Sequence, residues 1–257
     1  MAERRYPKAA LVTGAGKRIG RAIALSLGRA GWAVAVHYRE SRTEAEEVVG
    51  EIVAAGGRAA ALRADLTREE QAESLVPEAA AVLGALGCLV NSASVFESDE
   101  ALTVTRDSWE RHLATNLRAP FVLMQAFARQ LPAEAEGAII NLLDERVWNL
   151  TPHFVSYTLS KAGLWALTQT MALALAPRIR VNGIGPGPAL PSPRQSDAQF
   201  RRQQQMMPLR RGTAPEEIAA GVQFILAAPA LTGQMIALDG GQHLGWAQPG
   251  DRAPPDE

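Results

Sequence analysis

The chain has 257 residues, of which 47% are hydrophobic and 21% charged, and 26 basic against 27 acidic side chains leave a formal charge of −1. This composition excludes a disordered or collagen-like chain, and the lack of a basic excess disfavours nucleic acid as the main partner. A single cysteine, Cys88, excludes an internal disulfide and favours a reducing compartment. No apolar run is long enough to span a bilayer, so the chain is predicted to be cytoplasmic, with no membrane partner.

Short apolar runs rich in β-branched residues alternate along the chain with longer segments of helical period. The predicted strands cover residues 8–13, 32–38, 58–64, 87–91, 137–143, 178–184 and 234–238. Their nearly continuous apolar character is typical of parallel strands covered on both faces. The predicted helices cover residues 19–30, 43–55, 68–83, 107–131, 154–176 and 215–226. This alternation predicts an α/β fold with a doubly wound parallel sheet.

Composition shifts mark two segments near the C-terminus. Residues 1–246 contain no linker and are predicted to form one domain, whereas residues 247–257 are proline-rich and polar and are predicted to be a disordered tail. The segment 189–208 carries three prolines between a predicted strand and a predicted helix. It is expected to be a loop that acts as a lid over a substrate.

The first predicted strand leads directly into a glycine-rich turn and then into a helix. This region contains Gly14, Gly16, Lys17, Arg18, Ile19 and Gly20. Glycines at such a turn let backbone N–H groups approach a pyrophosphate that rests on the helix N-terminus. The position between a strand and a helix favours a dinucleotide site over a glycine-rich connection without a ligand.

The end of the second predicted strand bears on the choice between NADP and NAD. An acidic residue there would bind the ribose 2′-hydroxyl of NAD. This chain instead carries His37, Tyr38, Arg39, Glu40, Ser41 and Arg42. Arg39, Ser41 and Arg42 could hold a 2′-phosphate through charge-assisted hydrogen bonds, and Lys17 adds positive charge nearby. Glu40 leaves NAD open, but NADP is favoured.

Tyr157 and Lys161 lie four residues apart, on one face of a long predicted helix. A phenol is a poor acid–base group near neutrality, and a nearby ammonium favours its ionised form. Taken alone, the pair also fits a tyrosine packed under a solvated lysine. The four histidines show no zinc-ligand spacing, so no metal site is predicted.

The motifs occur in an order that resembles the short-chain dehydrogenase/reductase family, over residues 8–246. Besides the turn and the Tyr157/Lys161 pair, the resemblance rests on Asp65, Asn91, Ser92, Ala93, Asn116, Pro186 and Gly187. It implies a seven-stranded Rossmann-type sheet in a homotetramer or homodimer. It further implies that Asp65 contacts the adenine, that Asn116 supports a proton relay and that Lys161 holds the nicotinamide ribose. The remaining residues, with Leu66, are then expected to line the cofactor cleft.

Three departures from the usual family pattern are similar to the pteridine reductase branch, which includes bacterial dihydromonapterin and dihydrofolate reductases. Arg18 stands where a glycine is usual, and the stretch from Asn91 to Ser94 lacks the usual second asparagine and glycine. Most importantly, Asp144 stands 13 positions before Tyr157, where the family has serine.

The aspartate has a physical consequence of its own. An ionised carboxylate cannot donate a hydrogen bond, and its charge opposes the oxyanion that grows when a hydride attacks a carbonyl. Asp144 therefore suits reduction of a C=N bond, whose nitrogen is protonated, and it could poise Tyr157 as a proton donor. The sequence predicts an NADPH-dependent reductase of a planar C=N heterocycle, above all a dihydropterin, with Asp144, Tyr157, Lys161 and Asn116 as the catalytic set.

Three further residues are assigned to the substrate. Phe96 could supply a flat wall on which the heterocycle stacks over the nicotinamide, and Ser94 lies beside it in sequence. Arg18 could bridge the pyrophosphate and a substrate oxygen. An ordinary core aromatic and a simple phosphate contact are equally good interpretations of Phe96 and Arg18.

Two other functions stay open. In a carbonyl reductase or alcohol dehydrogenase on the same scaffold, Asp144 would merely be tolerated. In a non-catalytic NADP(H)-sensing protein no proton relay is needed, so the intact Tyr157, Lys161 and Asn116 weigh against that hypothesis. The identity of the pterin also stays open.

Overall fold

Seven parallel strands form one sheet in the order β3-β2-β1-β4-β5-β6-β7. The computed structural model describes residues 6–192 and 194–245, so the predicted tail at 247–257 lies outside the described residues. The strands are β1 (Ala9–Val12), β2 (Ala33–Tyr38), β3 (Ala59–Arg63), β4 (Cys88–Asn91), β5 (Gly137–Leu142), β6 (Ile179–Pro186) and β7 (Met235–Leu238). The predicted seven-stranded Rossmann-type sheet is therefore confirmed.

Helices cover both faces of this sheet. They are α1 (Arg18–Arg29), α2 (Arg42–Ala54), α3 (Glu69–Leu83), α4 (Arg106–Leu113), α5 (Ala119–Gln130), α6 (Val155–Leu175), α7 (Asp197–Gln205) and α8 (Pro215–Ala227). Leu11 and Leu89 point into the core beneath α3, α5 and α6, whereas Val12 and Val90 point into the core beneath α1, α2 and α8. Because successive strand residues face opposite sides, two cores require strands that are apolar at every position.

Two predicted elements differ from the structure. The helix predicted over 107–131 is interrupted by a π-helical turn, Ala114–Arg118, between α4 and α5. Pro120 has no N–H to donate to the carbonyl of Asn116, so regular α-helical bonding cannot continue there. The segment predicted as a loop over 189–208 contains α7, whose start is capped reciprocally by Ser196 and Gln199.

The strand order reverses between β1 and β4, because the chain first builds outward to β3 and then crosses back to β4. Such a reversal opens a crevice at the carboxyl ends of the strands, where open α/β sheets bind ligands. No helix in the described ranges is long and apolar enough to cross a membrane.

Candidate active site

A cleft of about 690 Å³ opens at the reversal of the strand order. Twenty of the predicted site residues line it, namely Gly14, Lys17, Arg18, Ile19, Gly20, His37, Tyr38, Arg39, Ser41, Asp65, Leu66, Ser92, Ala93, Ser94, Phe96, Asp144, Tyr157, Lys161, Pro186 and Gly187. Three others, Gly16, Asn91 and Asn116, lie outside this lining. Most residues chosen from scattered positions in the sequence are thus brought together at one edge of the sheet.

The glycine-rich turn is packed too tightly for a side chain at Gly14 or Gly20. A Cβ at Gly20 would lie 2.3 Å from the carbonyl oxygen of Gly14, and Gly14 itself has a φ of +62°. Gly16 lies against the start of α2, where a Cβ would be 3.0 Å from Ser41 Oγ. The first turn of α1 has no side-chain cap and no acidic residue, so its N–H groups and positive dipole end are available. These features fit the pyrophosphate of a dinucleotide.

His37 anchors this turn from behind. Its Nδ1 accepts a hydrogen bond from the N–H of Gly14 at 3.0 Å, so its Nε2 carries the proton and donates to the carbonyl of Ala64 at 3.1 Å. Burial lowers the pKa of His37 from 6.5 to about 4. The neutral imidazole therefore ties the turn after β1 to the chain leaving β3.

The predicted 2′-phosphate site at the end of β2 carries paired charges. Arg39 Nε lies 3.2 Å from a carboxylate oxygen of Glu40, and Lys17 Nζ lies 2.6 Å from Glu44. Arg42 pairs with a glutamate one turn further along α2 and lies outside the cleft lining. Arg39, Ser41 and Lys17 thus line the cleft as candidate phosphate contacts, and the phosphate contact of Arg42 stays a prediction.

Asp65 lines the cleft just after β3. Its carboxylate accepts hydrogen bonds from the N–H and the hydroxyl of Thr67, at 3.0 and 2.7 Å. These bonds lower the pKa of Asp65, with weaker contributions from Arg39 and Arg68. Asp65 is therefore an ionised, oriented acceptor at this end of the cleft.

At the other end, the hydroxyl of Tyr157 donates to Asp144 Oδ2 at 2.7 Å. Asp144 follows β5 and Tyr157 lies in the first turn of α6. The second carboxylate oxygen accepts from the backbone N–H of Arg146 at 2.9 Å. The aspartate thus faces the phenol directly, and both of its oxygens have donors.

Lys161 lies beneath this pair. Its ammonium donates to the carbonyl of Leu142 at 2.8 Å and is 5.7 Å from the centre of the Tyr157 ring. Burial lowers the pKa of Lys161 from 10.5 to about 8, although the charge of Asp144 opposes this shift. A buried cation is therefore held next to the phenol near neutral pH.

Phe96 packs against several side chains at the mouth of the cleft. Its ring stacks on Phe154 at 4.7 Å and meets the edge of Tyr157 at the same distance. The guanidinium groups of Arg146 and Arg194 lie 5.5 and 5.4 Å from its centre. Sequence reasoning missed Phe154, Arg146 and Arg194, because none belongs to a motif.

Arg18 spans the cleft from the phosphate-binding turn. Its guanidinium donates to the backbone carbonyls of Leu190 and Pro191, at 3.3 and 3.0 Å. Arg18 therefore contacts the segment predicted as a lid.

Asn116 and Asn91 use their side chains inside the protein. Asn116 Oδ1 accepts from the N–H of Val95 at 2.8 Å and from the hydroxyl of Ser94 at 3.2 Å. Asn91 donates to Asn141 at 2.8 Å. Asn116 holds the loop after β4 from the π-helical turn, and the Asn91 side chain points away from the cleft lining.

A buried network that the sequence did not reveal fixes the start of α6. The carboxylate of Asp99 accepts from the N–H and the hydroxyl of Ser156. His112 Nε2 accepts from the N–H of Glu97 at 3.1 Å, so its Nδ1 donates to Ser156 Oγ at 2.7 Å. Asp99, His112 and Ser156 thus join the loop after β4 to the helix of the candidate tyrosine. Because Ser156 and His112 are fully buried, the network is structural and does not contact a substrate. Among the described residues, no cluster of histidine, cysteine and carboxylate side chains could hold a metal ion.

This fold and this cleft define an oxidoreductase that uses a nicotinamide dinucleotide. The chain belongs to the short-chain dehydrogenase/reductase family, and the family model described as enoyl-(acyl carrier protein) reductase matches residues 14–243. A relative from Staphylococcus epidermidis, 3-oxoacyl-[acyl-carrier-protein] reductase FabG, is 34% identical over 92% of this chain and 99% of its own. The predicted family and enzyme class are confirmed.

Two solved structures are similar over nearly their whole length. FolM alternative dihydrofolate reductase 1 from Brucella suis, in complex with NADP, is 44% identical over 94% of this chain and 97% of that chain, with a TM-score of 0.91. The Brucella canis FolM protein complexed with NADP is 41% identical over 98% of this chain and 100% of that chain, also with a TM-score of 0.91. Both are named as a dihydrofolate reductase.

Proposed function

We propose that the protein uses NADPH to reduce the C=N bond of a dihydropterin. The observation that carries the proposal is the 2.7 Å hydrogen bond from the hydroxyl of Tyr157 to Asp144. The prediction of NADP as the cofactor is confirmed by similar structures solved with NADP or NADPH. The FolM names of two of these structures support the pterin as substrate.

The charge of Asp144 favours nitrogen over oxygen as the atom that receives the proton. A unit charge ~4 Å from a growing oxyanion opposes it by ~4 kcal/mol at an effective dielectric constant of ~20. This penalty corresponds to about a thousandfold in rate. The same carboxylate instead stabilises a protonated ring nitrogen. Aspartate in place of serine at position 144 therefore favours reduction of a C=N bond and disfavours reduction of a carbonyl.

The side chains divide the remaining work. NADPH, when bound, supplies the hydride. Tyr157 lines the cleft and holds its one proton at Oη in the bond to Asp144. From there the proton passes to the substrate nitrogen. The ammonium of Lys161 stabilises the phenolate that remains after the proton has left. Phe96 gives the planar ring an apolar boundary.

A carbonyl reductase is the second candidate, and the relative with the name FabG favours it. In that case Asp144 would be tolerated rather than used. A non-catalytic NADP(H) sensor has no support from the comparisons, and the buried Lys161 beside Tyr157 weighs against it. We also propose a cytoplasmic homotetramer or homodimer and a single domain over residues 1–246, supported by the family resemblance.

The test compares NADPH oxidation with dihydrobiopterin, dihydromonapterin and dihydrofolate against ketones and 3-oxoacyl thioesters. We expect turnover of a dihydropterin, reduced by about 100-fold or more in Asp144→Asn, and a gain of ketone turnover in Asp144→Ser. Asp107→Asn, on the exposed face of α4, is the matched control and should retain full activity. Turnover of ketones alone, insensitive to Asp144→Asn, would overturn the proposal in favour of the carbonyl reductase.

A further inference from the structure

Arg146 is buried at the cleft beside Asp144, although no motif includes it. Its Nη1 lies 3.5 Å from Asp144 Oδ2, and the side chains of Arg146 and Asp144 are only 11% and 14% exposed. Its backbone N–H donates to the other carboxylate oxygen at 2.9 Å. The same residue therefore approaches both oxygens of the carboxylate, one through its main chain and one through its guanidinium.

Two aromatic rings hold the guanidinium in place. Its central carbon lies 5.2 Å from the centre of the Phe154 ring and 5.5 Å from that of Phe96. A guanidinium is planar and weakly hydrated, so it packs on aromatic faces more readily than an ammonium does. Phe154 precedes α6 in a left-handed conformation, with a φ of +57°, that leaves it fully buried beside Arg146. This packing limits the positions that the cation can take.

A carboxylate removed from water requires compensating charge to stay ionised. Arg146, Tyr157 and Lys161 interact with Asp144, and the buried Glu145 adjoins it in the chain. Arg146 comes from the 3₁₀ turn Glu145–Val147, and Tyr157 and Lys161 come from α6. Lys161 is itself held by the carbonyl of Leu142, and Tyr157 is neutral while it donates to the aspartate. Arg146 is thus the nearest cation to the oxygen that accepts the phenol.

We infer that Arg146 is a positioning residue that holds the Asp144 carboxylate in place and aimed at Tyr157, and so sets the choice of a nitrogen over an oxygen acceptor. The inference rests on the proposed function for the identity of the substrate. Without the guanidinium, the carboxylate beside Tyr157 loses its neighbouring cation, so the acid limb of the activity profile moves to higher pH. A carboxylate that is no longer held beside the phenol opposes a growing oxyanion less, so the preference between C=N and C=O substrates moves toward the carbonyl.

The test is the pH profile of kcat/KM for Arg146→Met, Arg146→Lys and the parent enzyme. In Arg146→Met we expect the acidic midpoint to move up by about one to three pH units. The loss should fall mainly on kcat, and the Kd for NADPH should stay within about twofold. Arg146→Lys retains the charge, so its acidic midpoint should lie close to that of the parent enzyme. Arg106→Met, an exposed arginine paired with Glu110 on α4, is the control.

A merely structural role would lower the melting temperature and leave the midpoint where it is, and that result would overturn the inference. An equal displacement of the midpoint in Arg146→Lys and Arg146→Met would overturn it as well, because the charge would then be irrelevant. The profile is measured with whichever substrate the panel identifies. If only ketones react, the proposed dihydropterin function fails, whereas a displaced midpoint in Arg146→Met still supports the role of Arg146.

Discussion

Protonation of His37 is expected to unfold the phosphate-binding turn and to destabilise the whole protein in mild acid. The neutral ring accepts from Gly14 and donates to Ala64, and a protonated ring can no longer accept. The pKa of His37 is about 4 in the folded state against 6.5 in its ordinary state. A difference of ~2.5 units at 1.36 kcal/mol each corresponds to a free energy of about 3 kcal/mol.

The sign follows from proton binding. Between about pH 6.5 and pH 4 the unfolded chain binds the proton and the folded chain does not, so stability rises with pH across this window. The contribution is complete above about pH 6.5 and is lost as the pH falls toward about 4. The free energy of unfolding is measured by denaturant titration at several pH values. Between about pH 6.5 and about pH 4 it should decline by about 3 kcal/mol more in the parent protein than in a variant without this group.

His37→Asn is the appropriate variant, because its amide oxygen can still accept from Gly14 but does not titrate. The pKa of His112 is also lowered by burial, and His112 remains in both proteins, so its contribution cancels in the comparison. The binding of NADPH should weaken more steeply over the same window in the parent than in the variant, because the 2′-phosphate of NADPH takes up a proton near pH ~6 in both proteins. Parallel pH dependence of unfolding in the two proteins would refute the assignment of His37 as a buried neutral anchor.

Three further predictions concern the cofactor and the proton. Gly20→Ala places a Cβ 2.3 Å from the Gly14 carbonyl and should abolish NADPH binding in a fluorescence titration, whereas Gly50→Ala on α2, where a Cβ meets nothing, should bind normally. Arg39→Ala should raise the Kd for NADPH by about tenfold or more and leave that for NADH unchanged, and equal losses would contradict a 2′-phosphate contact. Activity should decline above about pH 8 as Lys161 loses its proton, and this alkaline limb should be absent in Lys161→Arg.

The sheet and the cofactor end of the cleft were predictable because their signals are local. A strand buried on both faces must be apolar throughout, and the close backbone contacts at Gly14 and Gly20 exclude a side chain at those two positions. Both requirements act on residues that lie close together in the sequence. One local interruption of a helix was still not predicted. Pro120 has no N–H to donate, and the π-helical turn that results lies inside a segment whose pattern is otherwise helical.

Local signals fail where contacts join distant segments. The position of His37 at the end of β2 predicts a cofactor contact. In the fold, however, its ring is hydrogen-bonded to the turn after β1 and to the chain leaving β3. Gly16, Asn91 and Asn116 match family motifs, but their positions outside the cleft lining depend on packing.

The amino-acid sequence by itself determined the doubly wound sheet, the glycine-rich turn and the presence of an aspartate in place of a serine, because periodicity and residue type need no knowledge of distant neighbours. Only the tertiary structure decided that Asp144 meets Tyr157 at 2.7 Å and that Arg146 lies beside it against two stacked phenylalanine rings. The physical reason is that charge and hydrogen bonding act over a few ångströms of space. The spacing of residues along the chain does not specify such distances between the end of a strand and the first turn of a helix.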